Sequence, residues 1–336
     1  MKASVFRPGV GLTAEERPVP TIGPAELLLR LRGCGLCGSD IAKVVAPTGK
    51  GPAVLGHELV GDVVGVGDGI GAFGLGDRVV AAHHVPCGDC HYCRRGSESM
   101  CVTFKASNLD PGGFAEYVRV PAANVRHATF LVPAHVSDEA ASFVEPLACC
   151  LRATRRAGSA PSDTAVVVGL GSIGCLFVQL LRRAGATVVG CDPIPERAAL
   201  ALELGAAASG APERAATAAR GLSEGRGADL VVVTGGGAAV LPWAAEVLRD
   251  GGAVHYFAGG GGTALPLPLE RLYHRELTIT ATYSSSPRDL AEAFALLTRG
   301  EIDVGRLITH RLPLARLDEG VALMRHHQAL KVFVTP

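Results

Sequence analysis

TAVVVGLGSIG, Thr164 to Gly174, is the stretch that decides the fold. Residues 165–168 are apolar and β-prone, and they run straight into Gly169-Leu170-Gly171-Ser172-Ile173-Gly174, a G-x-G-x-x-G motif. An apolar helical run follows, IGCLFVQLLRRAGA (173–186). After it comes a second strand-like run, TVVGCD (187–192), which ends on an acid. That order of strand, glycine loop, helix, strand and acid is the context a dinucleotide fingerprint requires. Gly169 makes the tight turn, Gly171 admits the pyrophosphate to the backbone, and Gly174 lets helix pack on strand. The helix start offers free N–H groups to the pyrophosphate. Asp192 would accept from the ribose hydroxyls and repel a 2′-phosphate, which favours NAD over NADP. The cofactor contacts expected are Gly169, Gly171, Ser172, Ile173, Gly174, Asp192 and Arg197.

Working outward, the alternation continues. PERAALALELGA (195–206) reads as helix, ADLVVVTGGG (228–237) as a strand running into glycine, AAVLPWAAEVLRD (238–250) as helix, and GGAVHYFAGGGG (251–262) as another such strand. Strands alternating with helices predict a parallel, doubly wound sheet over 149–280. Gly235–Gly237 and Gly259–Gly262 are read as leaving room for the cofactor at strand ends rather than as further phosphate loops. The first ~145 residues differ: short Val-rich runs such as ELVGDVVGV (58–66) and DRVVAA (77–82) predict β structure. The crowd of Gly65, Gly67, Gly69, Gly71, Gly74 and Gly76 between them predicts turns with positive φ. EPLACCLRATRRAG (145–158) predicts a helix at the border. The tail, after RELTITATYSSS (275–286), reads as one helix over 287–300 and two short strands. That is too little for a domain, so it is expected to return to the first one.

The whole chain bounds the function. Its 336 residues suggest about two domains. Lys+Arg 32 balances Asp+Glu 32, and no basic tract stands out, which argues against a nucleic-acid surface. No apolar run nears the ~20 residues of a membrane span, and MKASVFRPGVG has no signal-peptide core. A soluble, cytoplasmic protein is expected. In a reducing compartment its ten cysteines are metal ligands or buried thiols rather than disulfides.

Four of those cysteines fall in CGDCHYCRRGSESMC, where Cys87, Cys90, Cys93 and Cys101 have the spacing C-x2-C-x2-C-x7-C. An all-sulfur shell is tetrahedral and closed, so this cluster predicts a structural zinc. A second, scattered set is Cys37 in GLCGSD (35–40), His57 and Glu58 in GHE (56–58), and Glu145 in FVEPLACC. One Cys, one His and one or two Glu suit a catalytic zinc, which keeps about three protein ligands and an open position. Cys34, Cys149, Cys150, Cys175 and Cys191 read as small buried residues.

With these motifs in order, the chain resembles the zinc-dependent medium-chain dehydrogenase/reductase family, and is similar to its sorbitol, threonine and secondary-alcohol dehydrogenases. GLCGSD, GHE, the GDRV turn (76–79), the four-cysteine lobe, GGFAEYV (112–118), EPLACCLRA (145–153), GLGSIG and Asp192 carry the likeness across nearly the whole length. The resemblance implies an α/β protein with a GroES-like β-rich catalytic domain (1–148 and 281–336) and a Rossmann domain (149–280). The active site is then expected in the cleft between them. It implies two zinc ions per chain, NAD with NADP possible, and a homodimer or homotetramer. Carried over, Cys37, His57 and Glu145 are zinc ligands, and Glu58 is the neighbouring glutamate able to enter the zinc shell. Asp40 orients the ligand histidine, and Ser39 relays the substrate proton. Where some members have a relay histidine after the serine–aspartate pair, this chain has Ile41-Ala42-Lys43. The relay then ends in water, in the cofactor ribose or in Lys43.

The expected reaction is hydride transfer between a secondary alcohol and NAD, with a polyol, sugar or amino alcohol as substrate and a ketone as product. The alternative is an NADPH-dependent ketone reductase running in reverse. A zinc-ribbon module for nucleic acid is disfavoured by the neutral charge, with only Arg94 and Arg95 beside the cysteines. A non-catalytic member is disfavoured by the intact ligand set. Ser284, Ser285 and Ser286 either face a hydroxylated substrate or form an exposed turn before Pro287.

Overall fold

The computed structural model describes residues 1–47, 51–259 and 264–336. Gly260, Gly261 and Gly262 of the last glycine run lie outside the described residues. The described residues form two compact units, 1–148 with 285–336 and 149–284.

In the second unit, six parallel strands form one sheet. In chain order they are Thr164–Val168, Thr187–Cys191, Ala208–Gly210, Ala228–Val233, Leu248–Tyr256 and Thr278–Ala281, and in space they lie 3-2-1-4-5-6. Thr164–Val168 is buried throughout, as a central strand covered on both faces must be. The order reverses beside this strand, so the switch point of the sheet lies between it and Ala228–Val233. In open α/β sheets that is where ligands bind. The helix expected over 238–250 is shorter. Pro242 sits in the first turn of Leu241–Val247, and Leu248 already belongs to the next strand.

The first unit is built on two sheets, antiparallel except where His310–Pro313 pairs parallel with Val332–Thr335. One has three strands, with Lys2–Arg7 between Gly11–Glu16 and Ala53–Val54. The other runs His310–Pro313, Val332–Thr335, Leu27–Gly35, Glu58–Val66, Arg78–Ala81, Thr129–Leu131, and Tyr117–Val120 pairs with Leu27–Gly35. Leu27, Leu29, Phe114, Val118, Val332 and Val334 are among the fully buried side chains of its core. The tail supplies two strands of the larger sheet. It also contains a helix, Leu317–Arg325, that its sequence did not announce. Ser286 is buried and caps the helix Pro287–Thr298 with Asp289, so it serves the chain rather than a substrate.

Two details of this sheet position the chemistry. The pairing of Leu27–Gly35 with Glu58–Val66 sets Gly35 opposite Glu58, after a bulge in which Arg32 has no partner between Leu31↔Gly61 and Gly33↔Val60. Of the crowded glycines after Val64, only Gly69 and Gly76 have positive φ. Gly67 is needed for space instead: a Cβ there would lie 2.1 Å from the Gly23 carbonyl oxygen.

Candidate functional site

The Gly35↔Glu58 register brings two loop starts to one sheet end. Beyond Gly35 the chain turns at Cys37 into the helix Gly38–Val45, and before Glu58 stands His57. Cys37 is the N-cap of that helix. Its Sγ accepts from Ser39 N at 3.5 Å, and Asp40 Oδ2 accepts from Cys37 N at 3.2 Å, a reciprocal capping box. The sulfur therefore sits at the start of the helix, beside its free backbone N–H groups.

Asp40 also faces the other way. Its Oδ1 accepts from Gly56 N at 3.3 Å and lies 3.4 Å from His57 Nδ1, with the carboxylate 1% exposed. One buried carboxylate thus ties the Cys37 turn to the His57 turn. Burial opposes ionisation of Asp40, but the charge and hydrogen bond of His57 outweigh it and hold its pKa below the usual value. Burial likewise opposes a charged His57, but Asp40 and then Cys37 raise its pKa well above the usual value. A cation shared among these groups would meet the same field.

The ligand atoms of Cys37, His57 and Glu58 all lie within 4.8 Å of one another. Glu58 is 1% exposed, and its Oε1 accepts from Lys331 Nζ at 2.6 Å. Oε2 is close to the same ammonium, yet it is buried and receives no directed hydrogen bond among the described residues. The donor set at this point, one thiol, one imidazole and one carboxylate, suits a zinc ion. Lys331 is itself 2% exposed, held charged against burial by Glu58 and other negative groups, Glu145 among them. Its ammonium lies 5.6 Å from the ring centroid of Phe143. Gly35 makes room for this pair, because a Cβ there would stand 2.1 Å from Glu58 Oε2. Glu145 is buried in the first turn of Val144–Ala157 but is not one of the three converging side chains. Ser39 Oγ lies 3.5 Å from His57 Nε2.

A row of rings extends from His57. His83 lies against it, tilted by 43° with centroids 4.6 Å apart, and His84 lies against His83, tilted by 39° at 3.8 Å. Burial, helped by the charge of His57, pushes His83 well below the usual pKa, and its Nδ1 is buried without a partner among the described residues. Burial also lowers His84, to about 4, against the opposing pull of the Ser107 carbonyl. These two rings, Lys331 and the Asp40 bridge are the features that sequence reasoning missed or left undeveloped. HHVP (83–86) is the one signal it could have followed.

The cysteine lobe is separate. Cys87, Cys90, Cys93 and Cys101 converge with all four Sγ atoms within 4.8 Å of one another. The separations include 3.5 Å for Cys90–Cys93, 3.6 Å for Cys101–Cys87 and 4.0 Å for Cys87–Cys93. A tetrahedral zinc with ~2.3 Å Zn–S bonds sets its sulfurs about 3.8 Å apart. The thiols fit that ion, with no side chain lacking from the set. Apart from these four and half-buried Cys37, the remaining five cysteines are buried.

At the nucleotide loop, Gly169 has φ +87°, and a Cβ there would press to 2.7 Å on Gly235 N; one at Gly174 would lie 1.9 Å from the Gly169 carbonyl oxygen. Gly171, by contrast, caps the helix Ser172–Arg183 and has open space at its Cβ position. Ser172 and Ile173 form the first turn of that helix. Asp192 Oδ2 accepts from Leu170 N at 2.7 Å and Oδ1 from Ile194 N at 2.9 Å, and Arg197 Nη1 stands 3.9 Å from Oδ2. Asp192 therefore pins the glycine loop as well as ending its strand. Thr234 Oγ1 donates to the Gly169 carbonyl at 2.6 Å, a second pin that the motif does not contain.

A parallel nucleotide-binding sheet joined to a β unit with two metal-type ligand clusters defines a class: a metal-dependent dehydrogenase. Comparisons with known proteins narrow it. An alcohol dehydrogenase GroES-like domain matches residues 23–130, and a zinc-binding dehydrogenase domain matches 172–299. The sorbitol dehydrogenase of Halalkalibacterium halodurans is 30% identical, covering 100% of this chain and 99% of its own. The D-altritol 5-dehydrogenase of Agrobacterium fabrum is 35% identical over 90% of this chain and 89% of its own. A solved structure from Sinorhizobium meliloti 1021, described as a zinc-binding dehydrogenase bound to NADP, superposes with a TM-score of 0.89 at 28% identity, covering 100% and 99% of the two chains. The chain belongs to the zinc-dependent medium-chain dehydrogenase/reductase family. It is an NAD(P)-dependent alcohol dehydrogenase of the secondary-alcohol kind. No helix among the described residues is long and apolar enough to cross a membrane.

Proposed function

We propose that the chain oxidises a secondary alcohol of the polyol or sugar type with NAD. In this reading Cys37, His57 and Glu145 hold a catalytic zinc, Glu58 serves as an alternate ligand, and the four-cysteine lobe holds a second, structural zinc. The observation that carries it is the convergence of Cys37, His57 and Glu58 within 4.8 Å around buried Asp40.

When bound, the zinc supplies Lewis acidity to the substrate oxygen and the nicotinamide accepts the hydride. The residues do the rest. Asp40 fixes the His57 ring through Nδ1 and leaves Nε2 for the metal. Ser39 Oγ, beside that Nε2, takes the hydroxyl proton from the substrate and passes it on. Lys331 neutralises Glu58, so two carboxylates and a thiolate can share the site without expelling one another. Asp192 supports NAD, because its carboxylate stands beside the glycine loop where a 2′-phosphate would be repelled. The NADP reading keeps two supports, the NADP-bound structural relative and Arg197 beside Asp192.

The edge strand Thr278–Ala281 and exposed Leu269, Tyr273 and Tyr283 (79%, 78% and 58%) support a homodimer or homotetramer. Ten free cysteines support a reducing, cytoplasmic setting. The test is metal content and turnover of secondary alcohols with each cofactor. Two zinc ions per chain and a higher kcat/KM with NAD are expected. One zinc, or a preference for NADPH and ketone, rejects the corresponding part.

A further inference from the structure

Beside His57, within the first unit, lies a cavity of ≈ 270 Å³. Its polar lining is Lys43, His57, His83, His84 and Asn108; the other lining residues are apolar or glycine, and none of the described residues that line it is acidic. The carboxylates that flank His57 are taken: Asp40 by Cys37 N, Gly56 N and His57, and Glu58 by Lys331.

The hydrogen-bonding sense of three groups can be read. His84 Nδ1 lies 2.6 Å from the Ser107 carbonyl oxygen, which only accepts, so Nδ1 carries the proton and Nε2 is an acceptor. Asn108 Oδ1 accepts from Leu109 N at 2.9 Å, which leaves its Nδ2 donors free of protein partners among the described residues. Lys43 offers an ammonium with no hydrogen-bond partner among the described residues. Beside the rings of His57 and His83, the described wall next to the proposed reaction centre thus offers a cation at Lys43, an amide donor at Asn108 and an imidazole acceptor at His84, with no acid among its lining residues.

We infer that this pocket takes the tail of a polyhydroxylated carboxylate, so that the preferred substrates are sugar acids oxidised at a secondary hydroxyl rather than neutral polyols or amino alcohols. The inference rests on the proposed site at Cys37 and His57. Lys43 and Asn108 receive the carboxylate oxygens, and His84 Nε2 accepts from a chain hydroxyl. An amino alcohol would set its ammonium against Lys43 and find no acid to receive it. The cavity is near the lower end of small-molecule sites, which suits an extended chain of a few hydroxylated carbons.

The zinc-loaded enzyme is assayed with both nicotinamide cofactors on D-gluconate and sorbitol, which differ at one terminus, on other six-carbon aldonate–alditol pairs, and on L-threonine. The best aldonate is expected to exceed its alditol in kcat/KM by roughly tenfold to hundredfold, the range for a charged hydrogen bond. Lys43→Met should collapse that ratio and Lys43→Arg restore part of it. Without cofactor, the preferred aldonate should raise the Tm of the wild type and not that of Lys43→Met. Oxidation of the alditols, or of threonine, equal to or better than all aldonates overturns the inference and leaves the proposed function standing. Absence of turnover on every secondary alcohol with either cofactor overturns both.

Discussion

The cysteine lobe and the cluster at Cys37, His57 and Glu58 make opposite use of the chain. The lobe draws four identical ligands from fifteen consecutive residues, 87–101, and its sulfurs converge through local turns. The second cluster draws unlike ligands from two strand ends. A register, a capping box and a buried ion pair bring them together. The first is a closed shell of one ligand type; the second is an uneven set propped by the fold, with Glu58 neutralised by Lys331. In the proposed reading, ligand density marks architecture, and sparse ligands with many supports mark chemistry.

That contrast can be broken most decisively by a pair of substitutions. Cys37→Ala is expected to lower turnover at least about a thousandfold, the several kcal/mol a Lewis-acid metal contributes. Zinc should fall from two to one per chain, with NAD affinity kept within a few-fold. Cys90→Ser should release the other zinc and lower thermal stability before it lowers turnover. Kinetics, metal analysis and melting on both proteins check this, and a stable Cys90→Ser enzyme without turnover reverses the assignment.

Next in size is the prop under Glu58. Lys331→Met strands a buried carboxylate and should cost about 3–5 kcal/mol in urea unfolding. A Lys331→Met/Glu58→Gln double variant should recover part of that. Additive losses would mean that the two side chains act separately.

Asp40→Asn keeps the shape but removes the charge that faces His57. Roughly a 10- to 100-fold loss of zinc affinity, measured by competition with a chelator, is expected for such a supporting ligand. The lobe zinc should be untouched.

The smallest effect contrasts a histidine among carboxylates with one that has none. His255 is fully buried in the second unit, with Nδ1 2.8 Å from Thr280 Oγ1 and Nε2 without a partner among the described residues. Burial, and then Arg156, push its pKa down to about 4. Between that value and the ~6.5 of an unfolded histidine, the unfolded chain binds the extra proton, so stability rises with pH across this window. Acidifying from 6.5 to 5 should cost the wild type about 1–2 kcal/mol more than a His255→Phe variant. Parallel unfolding curves at both pH values would remove the effect.

The contrast also explains what the sequence could say. The lobe and the glycine loop are contiguous, and their spacing carries their geometry. The parallel sheet was legible because each strand ends in glycine and each helix shows its own period. The scattered ligands could be proposed from residue type, but their separate roles came only with family likeness, since a lone Cys and a lone His have no spacing to read. Lys331 stands 273 positions from Glu58 in a run, KVFV, that says only strand. His83 and His84 gain meaning from the ring of His57 beneath them. Gly67 looked like a turn because composition shows freedom of φ and cannot show the carbonyl of Gly23 in the way. The helix Leu317–Arg325 was lost because its apolar face is short and lies against distant strands.

The bulge at Arg32 has a consequence for how this chain can change in length. Because Arg32 is the extra residue between Leu31↔Gly61 and Gly33↔Val60, it sets the count for everything up to Cys37. Removing one residue between the bulge and the helix would bring Leu36 opposite Glu58, at a place where even a Cβ stands 2.1 Å from the carboxylate. It would also turn the following side chains to the other face of the sheet. The segment is in effect a vernier: a single-residue insertion or deletion within 33–36 should be far less tolerated than one in the exposed hairpin at Val10.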